Sequence, residues 1–152
     1  MSGNPNIKLT TFMSDFRSTI EAEADGRLLV VRQALRPEVR LQMIAIEDIG
    51  KFAALAFAHP ASFLGKAIEL AGAELIPSEI AESIERVSGK PTRFVELPMA
   101  QLRRFDAKIA RMYEWFNESG YQADIPTLQK LHPELLTLEM WLKQSGLFTV
   151  PV

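Results

Sequence analysis

The segment that most constrains the fold is 41–60, LQMIAIEDIGKFAALAFAHP. A short apolar stretch is followed by two carboxylates and then by a longer apolar run with helical spacing. This order predicts a strand at 41–46 and a helix at 48–58, because early carboxylates stabilise the positive end of a helix. Its buried face is predicted to consist of Ile49, Phe52, Ala53, Ala56 and Phe57. The segment therefore favours a fold built from strand and helix units.

The same patterns continue along the chain. Further strands are predicted at 28–31, 66–71 and 92–97, and further helices at 10–24, 77–88, 98–117, 125–131 and 138–144. Gly89 and Gly146 are predicted to end helices, and Asp124 and Thr137 to cap them. Because strands and helices alternate from 28 to 117, we expect an α/β fold with a short, partly parallel sheet and amphipathic helices.

Length and charge narrow the class of protein. The 152 residues correspond to one domain, and a net charge of −2 gives no concentrated basic face for nucleic acid. The chain has 0 cysteines, which excludes disulfides, thiolate catalysis and cysteine-based metal sites. The longest apolar stretch, 52–64, is shorter than the about 20 residues that cross a bilayer. With no secretory signal at the start, we expect a cytoplasmic protein that binds neither nucleic acid nor membrane.

Motifs for nucleotide binding and catalysis are missing from the sequence. None of the 8 glycines forms the G-x-G-x-x-G pattern that lets a backbone approach a pyrophosphate, and no Gly-Lys pair sits in a phosphate-binding loop. Neither Tyr113 nor Tyr121 is followed four residues later by lysine. His59 and His132 lack a second ligand at helical spacing, so both are interpreted as structural or surface residues. We therefore predict no catalytic residue and no metal site.

Two groups of side chains are candidates for the wall of a ligand cleft. Tyr113 and Trp115 project away from the predicted core face of helix 98–117, whose members are Leu102, Phe105, Ile109, Met112 and Phe116. They either line a cleft or cover the short helices that follow. Phe12 and Met13, near the chain start, either form a pocket wall or pack in the core.

A basic group on helix 98–117 is the remaining candidate. Arg104, Lys108 and Arg111 could clamp an anionic ligand or could form a solvated face. Glu114 and Glu118 continue the same surface with opposite charge, which favours the solvated face.

Four segments taken together resemble the NmrA-like family, atypical relatives of the short-chain dehydrogenases. They are TTFMSDF (10–16), LQMIAIEDIGKFAALAF (41–57), KAIELAGAELIPSEIAESI (66–84), and MYEWFNESGYQADI (112–125) with LTLEMWL (136–142). Ser14 and Asp15 stand where the family often has Glu-Asn, and Ile76 stands where threonine often caps a helix. The resemblance implies a Rossmann-type NAD(P)-binding domain followed by a smaller lobe that closes the substrate cleft.

The match covers only the C-terminal half of the family pattern. Residues 1–152 are therefore expected to be a single substrate-lobe domain, an incomplete Rossmann-like C-terminal lobe whose nucleotide-binding half and glycine-rich site are absent. The family implies NAD(P) as cofactor and a redox-sensing regulator or an NAD(P)H-dependent reductase as the whole protein. Phe12, Met13, Tyr113 and Trp115 are the cleft candidates, and the chain alone is expected not to be catalytic.

An alternative function stays open. The chain could be a non-enzymatic module that dimerises or binds a regulator, or a truncated product of a longer gene. Strands 66–71 and 92–97 look suited to a larger parallel sheet, and a missing neighbour would expose a strand edge. We therefore expect a homo-oligomer or a partner chain that completes the sheet.

Overall fold

The computed structural model describes residues 7–9 and 11–148, with the side chains of 7–9, 11 and 18 left aside. Its strands are β1 (Ile7–Leu9), β2 (Thr11–Phe12), β3 (Ile20–Ala22), β4 (Leu29–Gln33), β5 (Leu41–Ile44), β6 (Ile68–Leu70), β7 (Ala73–Leu75) and β8 (Thr92–Glu96). Its helices are α1 (Phe16–Thr19), α2 (Ile46–Ala58), α3 (Pro60–Phe63), α4 (Pro77–Ser88), α5 (Met99–Phe105), α6 (Ala107–Glu118), α7 (Ile125–Leu131) and α8 (Leu138–Ser145). A 3-10 turn, Met13–Asp15, joins β2 to α1.

The strands pair in three groups, and the pairing is partly parallel as predicted. β1 runs parallel to β6, β2 runs parallel to β5, and β4 runs parallel to β8. Antiparallel neighbours are β7 on β5 and β3 on β4. The longest register is that of β4 and β8, from Leu29 opposite Thr92 to Gln33 opposite Glu96. The α/β prediction is confirmed.

Helix α4 forms where the sequence predicts it, since its determinants are local. Pro77 occupies the first turn, where a missing N–H costs nothing, and Gly89 ends the helix with φ 70°. Ile80 and Ile84 are fully buried. In place of a side-chain cap at Ile76, the Glu79 carboxylate accepts a hydrogen bond from the Ile76 amide at 3.0 Å. Arg86 and Glu82 form an ion pair at 3.7 Å on the outer face.

The caps of the last two helices are confirmed. The Asp124 carboxylate accepts from the Thr127 amide at the start of α7, and the Thr137 hydroxyl accepts from the Met140 amide at the start of α8. Gly146 ends α8 in the left-handed region. Leu147 and Phe148 of the predicted apolar tail pack against the main core, and 149–152 lie outside the described residues.

The predicted helix at 10–24 is wrong. This segment forms β2, the 3-10 turn, α1 and β3, because β5 and β4 offer strand partners to its two ends. Hydrogen bonds to β5 and β4, both outside the segment, override the four-residue spacing of Phe12, Phe16 and Ile20. In the observed arrangement of this segment, Met13 and Phe16 are completely buried.

The predicted helix at 98–117 is two helices. Asp106 has an extended backbone (φ −152°, ψ 107°), and its carboxylate caps α6 through the Lys108 and Ile109 amides at 2.8 and 3.1 Å. The break reorients the predicted core face, so that Phe105 is 87% exposed while Leu102 stays buried. Ile109 and Met112 are also exposed large apolar residues. The hydrogen bonds of the Asp106 N-cap stabilise a separate start for α6, so the predicted helix is divided at Asp106.

Two smaller predictions also fail. Phe57, assigned to the buried face of α2, is 85% exposed. The predicted strand at 66–71 is shorter, and β7 follows it after Gly72, whose amide donates to the Met43 carbonyl oxygen at 2.7 Å. β7 was not predicted from the sequence, because a glycine within a strand pattern suggests a turn.

The core comprises three groups of buried side chains. The main core cluster joins residues from both ends of the chain, including Met13, Phe16, Val31, Met43, Ile80, Phe116, Leu138 and Trp141. A second cluster contains Ile44, Phe52, Leu70, Leu128 and Leu135, and a third contains Ala34, Leu102 and Ala110. Among the described residues, no helix is both long and apolar enough to cross a membrane.

Candidate functional site

The structure separates the four predicted cleft residues. Met13 is fully buried in the main core cluster, and Tyr113 packs against the same cluster. Phe12 packs against the second cluster. Trp115 is 36% exposed and stacks edge-on against Tyr121, with ring centroids 4.8 Å apart. Met13 and Tyr113 therefore share one neighbourhood, whereas Trp115 covers the segment that follows α6.

Tyr113 lies between two hydrophobic clusters. Its ring packs against the main core cluster and the third cluster, and meets Phe116 edge-on at 5.6 Å. Its hydroxyl group hydrogen-bonds with the Gln33 side chain and lies within electrostatic range of Asp15. Burial, and secondarily the charge of Asp15, raise the pKa of Tyr113 from 10.0 to about 12. Tyr113 is therefore a neutral hydrogen-bond donor at neutral pH and is poorly suited to remove a proton.

Gln33 is a functional candidate that the sequence analysis missed. It ends β4, its amide side chain is 2% exposed, and its Oε1 atom has no hydrogen-bond partner within the described part of the chain. Such an unpartnered buried acceptor costs about 1–3 kcal/mol. The sequence contains one indication of Gln33, since it is a polar residue within the largely apolar segment 28–35, LLVVRQAL.

Asp15 is the exposed member of this neighbourhood. It follows β2 in the 3-10 turn, and partial burial raises the pKa of its carboxyl group although the Phe12 backbone hydrogen-bonds to it. Asp15 and Gln33 thus both stand at the carboxyl ends of strands that have parallel partners. In α/β sheets, ligands bind outside the carboxyl ends of the strands. We call Asp15, Gln33 and Tyr113 the cleft cluster.

A second buried polar group joins the start of α2 to the loop before α8. Asp48 accepts a hydrogen bond from the Leu136 amide at 2.9 Å, and its other oxygen lies 2.8 Å from His132 Nε2. The His132 ring also meets Phe52 edge-on at 5.6 Å. The sequence analysis gave Asp48 only a role at the helix end and missed this link. We call Asp48, His132 and Leu136 the clamp.

Histidine and carboxylate side chains do not assemble a metal site in the described ranges. No group of three or more His, Asp or Glu side chains there could hold an ion. His132 serves the clamp, and His59 is exposed between α2 and α3.

The basic residues of α5 and α6 do not form one continuous stripe, because Asp106 separates Arg104 from Lys108 and Arg111. Glu114 pairs with Arg103 and, at 3.4 Å, with Arg111. The Arg103 hydrogen bond is the largest of the effects that lower the pKa of Glu114. This is the solvated, mixed-charge face that the sequence favoured.

A cavity of 270 Å³ lies beside the 3-10 turn and includes Arg17, Glu47 and Trp141 in its lining. The Arg17 guanidinium donates to the Ser145 carbonyl oxygen at 3.3 Å and lies 5.6 Å above the Trp141 ring. Arg17 therefore ties α1 to α8, and Glu47 opposes its charge within the cavity.

Comparison with known proteins gives the family and the fold of the chain. The family model described as the NmrA-like family matches residues 5–142. An NmrA-like family domain-containing protein of Dictyostelium discoideum is 27% identical over 93 residues, which are 60% of this chain and 30% of that protein.

Solved structures show the same fold over about half of their length. NmrA, described as a negative transcriptional regulator in complex with NADP, superposes with a TM-score of 0.70 at 16% identity, covering 91% of this chain and 51% of that one. The leucoanthocyanidin reductase–NADPH complex from Vitis vinifera gives a TM-score of 0.59 at 16% identity, covering 91% of this chain and 53% of that one. The described part of the chain thus has the Rossmann-like fold of NmrA over half of the latter's length, and the chain belongs to the NmrA-like family.

Proposed function

We propose that this chain is the ligand lobe of an NmrA-like NAD(P)-binding protein. It would supply walls of a ligand cleft, while residues outside 1–152 would hold most of the nucleotide. The observation that carries the proposal is the match of 91% of the chain to only 51% of an NADP-bound regulator. The sequence also lacks a glycine-rich turn for a pyrophosphate.

The chemistry of the cleft supports binding rather than catalysis by this chain alone. The raised pKa of Tyr113 leaves a neutral donor, so that side chain can orient a ligand but supplies no base. Met13 is buried in the main core cluster, against which Tyr113 packs. If the whole protein reduces a substrate, the hydride would come from a nicotinamide held mainly by other residues.

Titration of the full chain with NADPH tests this proposal. Emission from Trp115 and Trp141 is followed up to millimolar NADPH, with free tryptophan as the correction for light absorbed by the cofactor. We expect a saturable change that weakens in Tyr113→Phe and is retained in Tyr121→Phe. No saturable change at millimolar NADPH would contradict a ligand lobe that retains nucleotide contacts.

We further propose that a second copy or a partner chain completes the sheet. Within the described residues, β1 pairs with β6 on one side and has no strand on the other. An unpaired edge favours the addition of another strand. Size-exclusion chromatography with light scattering should show an oligomer whose population rises with protein concentration. A single monomeric species at all concentrations would contradict this part of the proposal.

The second candidate function is a non-enzymatic interaction module. It is favoured by Phe57 and Phe105, which are 85% and 87% exposed and could contact a partner. A stable oligomer combined with no response to NADPH would support the module over the ligand lobe. A position in the cytoplasm remains a prediction from the sequence.

A further inference from the structure

The cavity beside the 3-10 turn carries two opposite charges that do not neutralise each other. Arg17 and Glu47 both line it, and neither forms an ion pair with any residue in the described part of the chain. In three other cavities the lining arginine does form an ion pair with a glutamate, namely Arg36, Arg40 and Arg93. Unpaired charges of opposite sign in one cavity offer separate partners for the two charged ends of a zwitterion.

The Arg17 guanidinium is held in place before any ligand arrives. It lies 5.6 Å from the centre of the Trp141 ring and donates one hydrogen bond, to the Ser145 carbonyl oxygen at 3.3 Å. Trp141 is 5% exposed and belongs to the main core cluster, so the ring is a fixed support. Most of the N–H donors of the guanidinium remain available for a carboxylate. A positioned arginine loses less freedom when it binds a ligand.

The opposite wall of the cavity combines a carboxylate with an apolar side chain. Ile46 and Glu47 stand in the first turn of α2, and both line the cavity. Ile46 is 53% exposed, so a ligand with an apolar side chain would remove apolar surface from water there. The cavity volume of 270 Å³ lies below the about 300–1,000 Å³ of sites for drug-sized molecules, so the ligand must be small.

We propose that this cavity binds a small zwitterion, an α-amino acid with an apolar side chain. The ligand carboxylate would accept hydrogen bonds from Arg17, its ammonium group would donate to Glu47, and its side chain would cover Ile46. A ligand with a single charge would meet one attractive and one repulsive group. The cleft cluster does not line this cavity, so the inference goes beyond the proposed function and requires no nucleotide.

Leucine, isocaproate and isoamylamine form a matched set of probes, because they share a branched apolar chain and differ in their charged groups. Binding to the isotope-labelled full chain is followed by nuclear magnetic resonance at the Trp141 indole N–H. The Trp115 indole, which packs against Tyr121 outside the cavity, is the internal reference. We expect leucine to shift the Trp141 signal saturably at millimolar concentration, and each singly charged probe to bind about fivefold more weakly.

Two variants assign the charged groups of the ligand to their partners. Arg17→Gln should weaken leucine binding about fivefold and make leucine and isoamylamine bind equally, because the carboxylate has lost its partner. Glu47→Gln should weaken leucine binding by a similar factor and make leucine and isocaproate bind equally. Arg27→Gln and Glu134→Gln are the controls, since they remove exposed charges that do not line the cavity and should leave leucine binding unchanged.

Several results would overturn the site. They are a Trp141 signal that does not shift saturably with leucine, equal binding of the three probes to the wild-type chain, and leucine binding that is unaffected by Glu47→Gln. Arg17 also ties α1 to α8, so its substitution tests folding as well as binding. If Arg17→Gln does not fold, Glu47→Gln and the comparison of the three probes still decide the matter.

Discussion

The clamp and the cleft cluster each contain a buried polar side chain, Asp48 and Gln33, but only Asp48 has a partner on every side-chain oxygen. In the clamp, each Asp48 oxygen has a partner, His132 on one and the Leu136 amide on the other. In the cleft cluster, Gln33 Oε1 has no partner among the described residues. A fully bonded polar group stabilises one arrangement of the chain, whereas a partly bonded one lowers stability and persists where it serves a ligand.

We therefore expect the clamp to contribute to stability and the cleft cluster to contribute to ligand binding. The clamp fixes the loop before α8 to the start of α2. The cleft cluster stands at the carboxyl ends of β2 and β4, where ligands of α/β proteins bind. Substitutions in the clamp should change unfolding, and substitutions in the cleft cluster should change binding.

The largest effect is expected for Asp48→Ala. Two buried donors then lose their acceptor, so the free energy of unfolding should fall by about 3 kcal/mol, at ~1–3 kcal/mol for each donor. Urea denaturation measures this loss. Glu47→Ala is the control, because the neighbouring carboxylate is exposed and should contribute less than about 1 kcal/mol. Equal losses in the two variants would show that the clamp is not a stabilising link.

Gly72→Ala tests the packing of the loop before α8 against Gly72, which lies between β6 and β7. A Cβ atom at Gly72 would collide with the Leu136 carbonyl oxygen, so we expect a loss of about 1–3 kcal/mol in unfolding free energy. Gly50→Ala is the matched control, since a Cβ there meets nothing within 4 Å and lies inside α2. That control should stabilise the chain by about 0.5–1 kcal/mol. Thermal and urea unfolding that fail to separate the two variants would contradict the close packing at Leu136.

Gln42→Leu and Gln33→Leu compare the loss of a fully bonded buried glutamine with the loss of a partly bonded one. Gln42→Leu leaves both backbone groups of Ala123 without a partner and should cost about 1–3 kcal/mol. Gln33→Leu removes the cost of an unpartnered acceptor, about 1–3 kcal/mol, but also removes the hydrogen bond with Tyr113, worth about 0.5–1.5 kcal/mol. Because the two effects oppose each other, the stability should change by less than about 1 kcal/mol or rise. Denaturation curves recorded side by side measure the difference. A larger loss for Gln33→Leu would show that Gln33 is a structural residue.

The smallest effect is the pH dependence contributed by Tyr113. Its pKa is raised from 10.0 to about 12 in the folded chain, so folding favours the neutral phenol. This contribution is present in full below the unfolded value of 10.0 and is lost as the pH rises towards about 12. The unfolding free energy of wild type should therefore fall more steeply across this window than that of Tyr113→Phe.

Near-ultraviolet absorbance provides a direct readout of the same group. Tyr121 also has a raised pKa, from burial and from the charge of Glu69, so Tyr121→Phe is the comparison. Removing Tyr113 should abolish the tyrosine that ionises near pH 12. If Tyr113→Phe instead removes a tyrosine that ionises near pH 10.0, the Tyr113 hydroxyl is not buried as described.

Local signals made parts of this fold predictable. Helix α4 was predicted correctly because Pro77, the spacing of Ile80 and Ile84, and Gly89 all act within the helix itself. The caps at Asp124 and Thr137 were predictable for the same reason. Where the outcome depended on a distant partner, as for the strands that replace the predicted helix at 10–24, the sequence pattern gave the wrong element.

The candidate site was less predictable than the fold. Tyr113 was predicted as a cleft candidate because it lies outside the expected core face of its helix, and Met13 because it lies near the chain start, but Gln33 was not predicted. Its importance depends on an unpartnered atom, and no sequence pattern shows which buried amide lacks a partner. The clamp was hidden in the same way, since 84 residues separate Asp48 from His132.

An NADPH titration of the isotope-labelled full chain by nuclear magnetic resonance, read at the clamp and at the cleft cluster, distinguishes the two groups most directly. We predict saturable shifts at Asp15, Gln33 and Tyr113, with the signals of His132 and Leu136 unchanged. Signals of the cleft cluster that stay fixed at millimolar NADPH, or shifts of equal size in the clamp, would contradict the assignment of the cleft cluster to ligand binding.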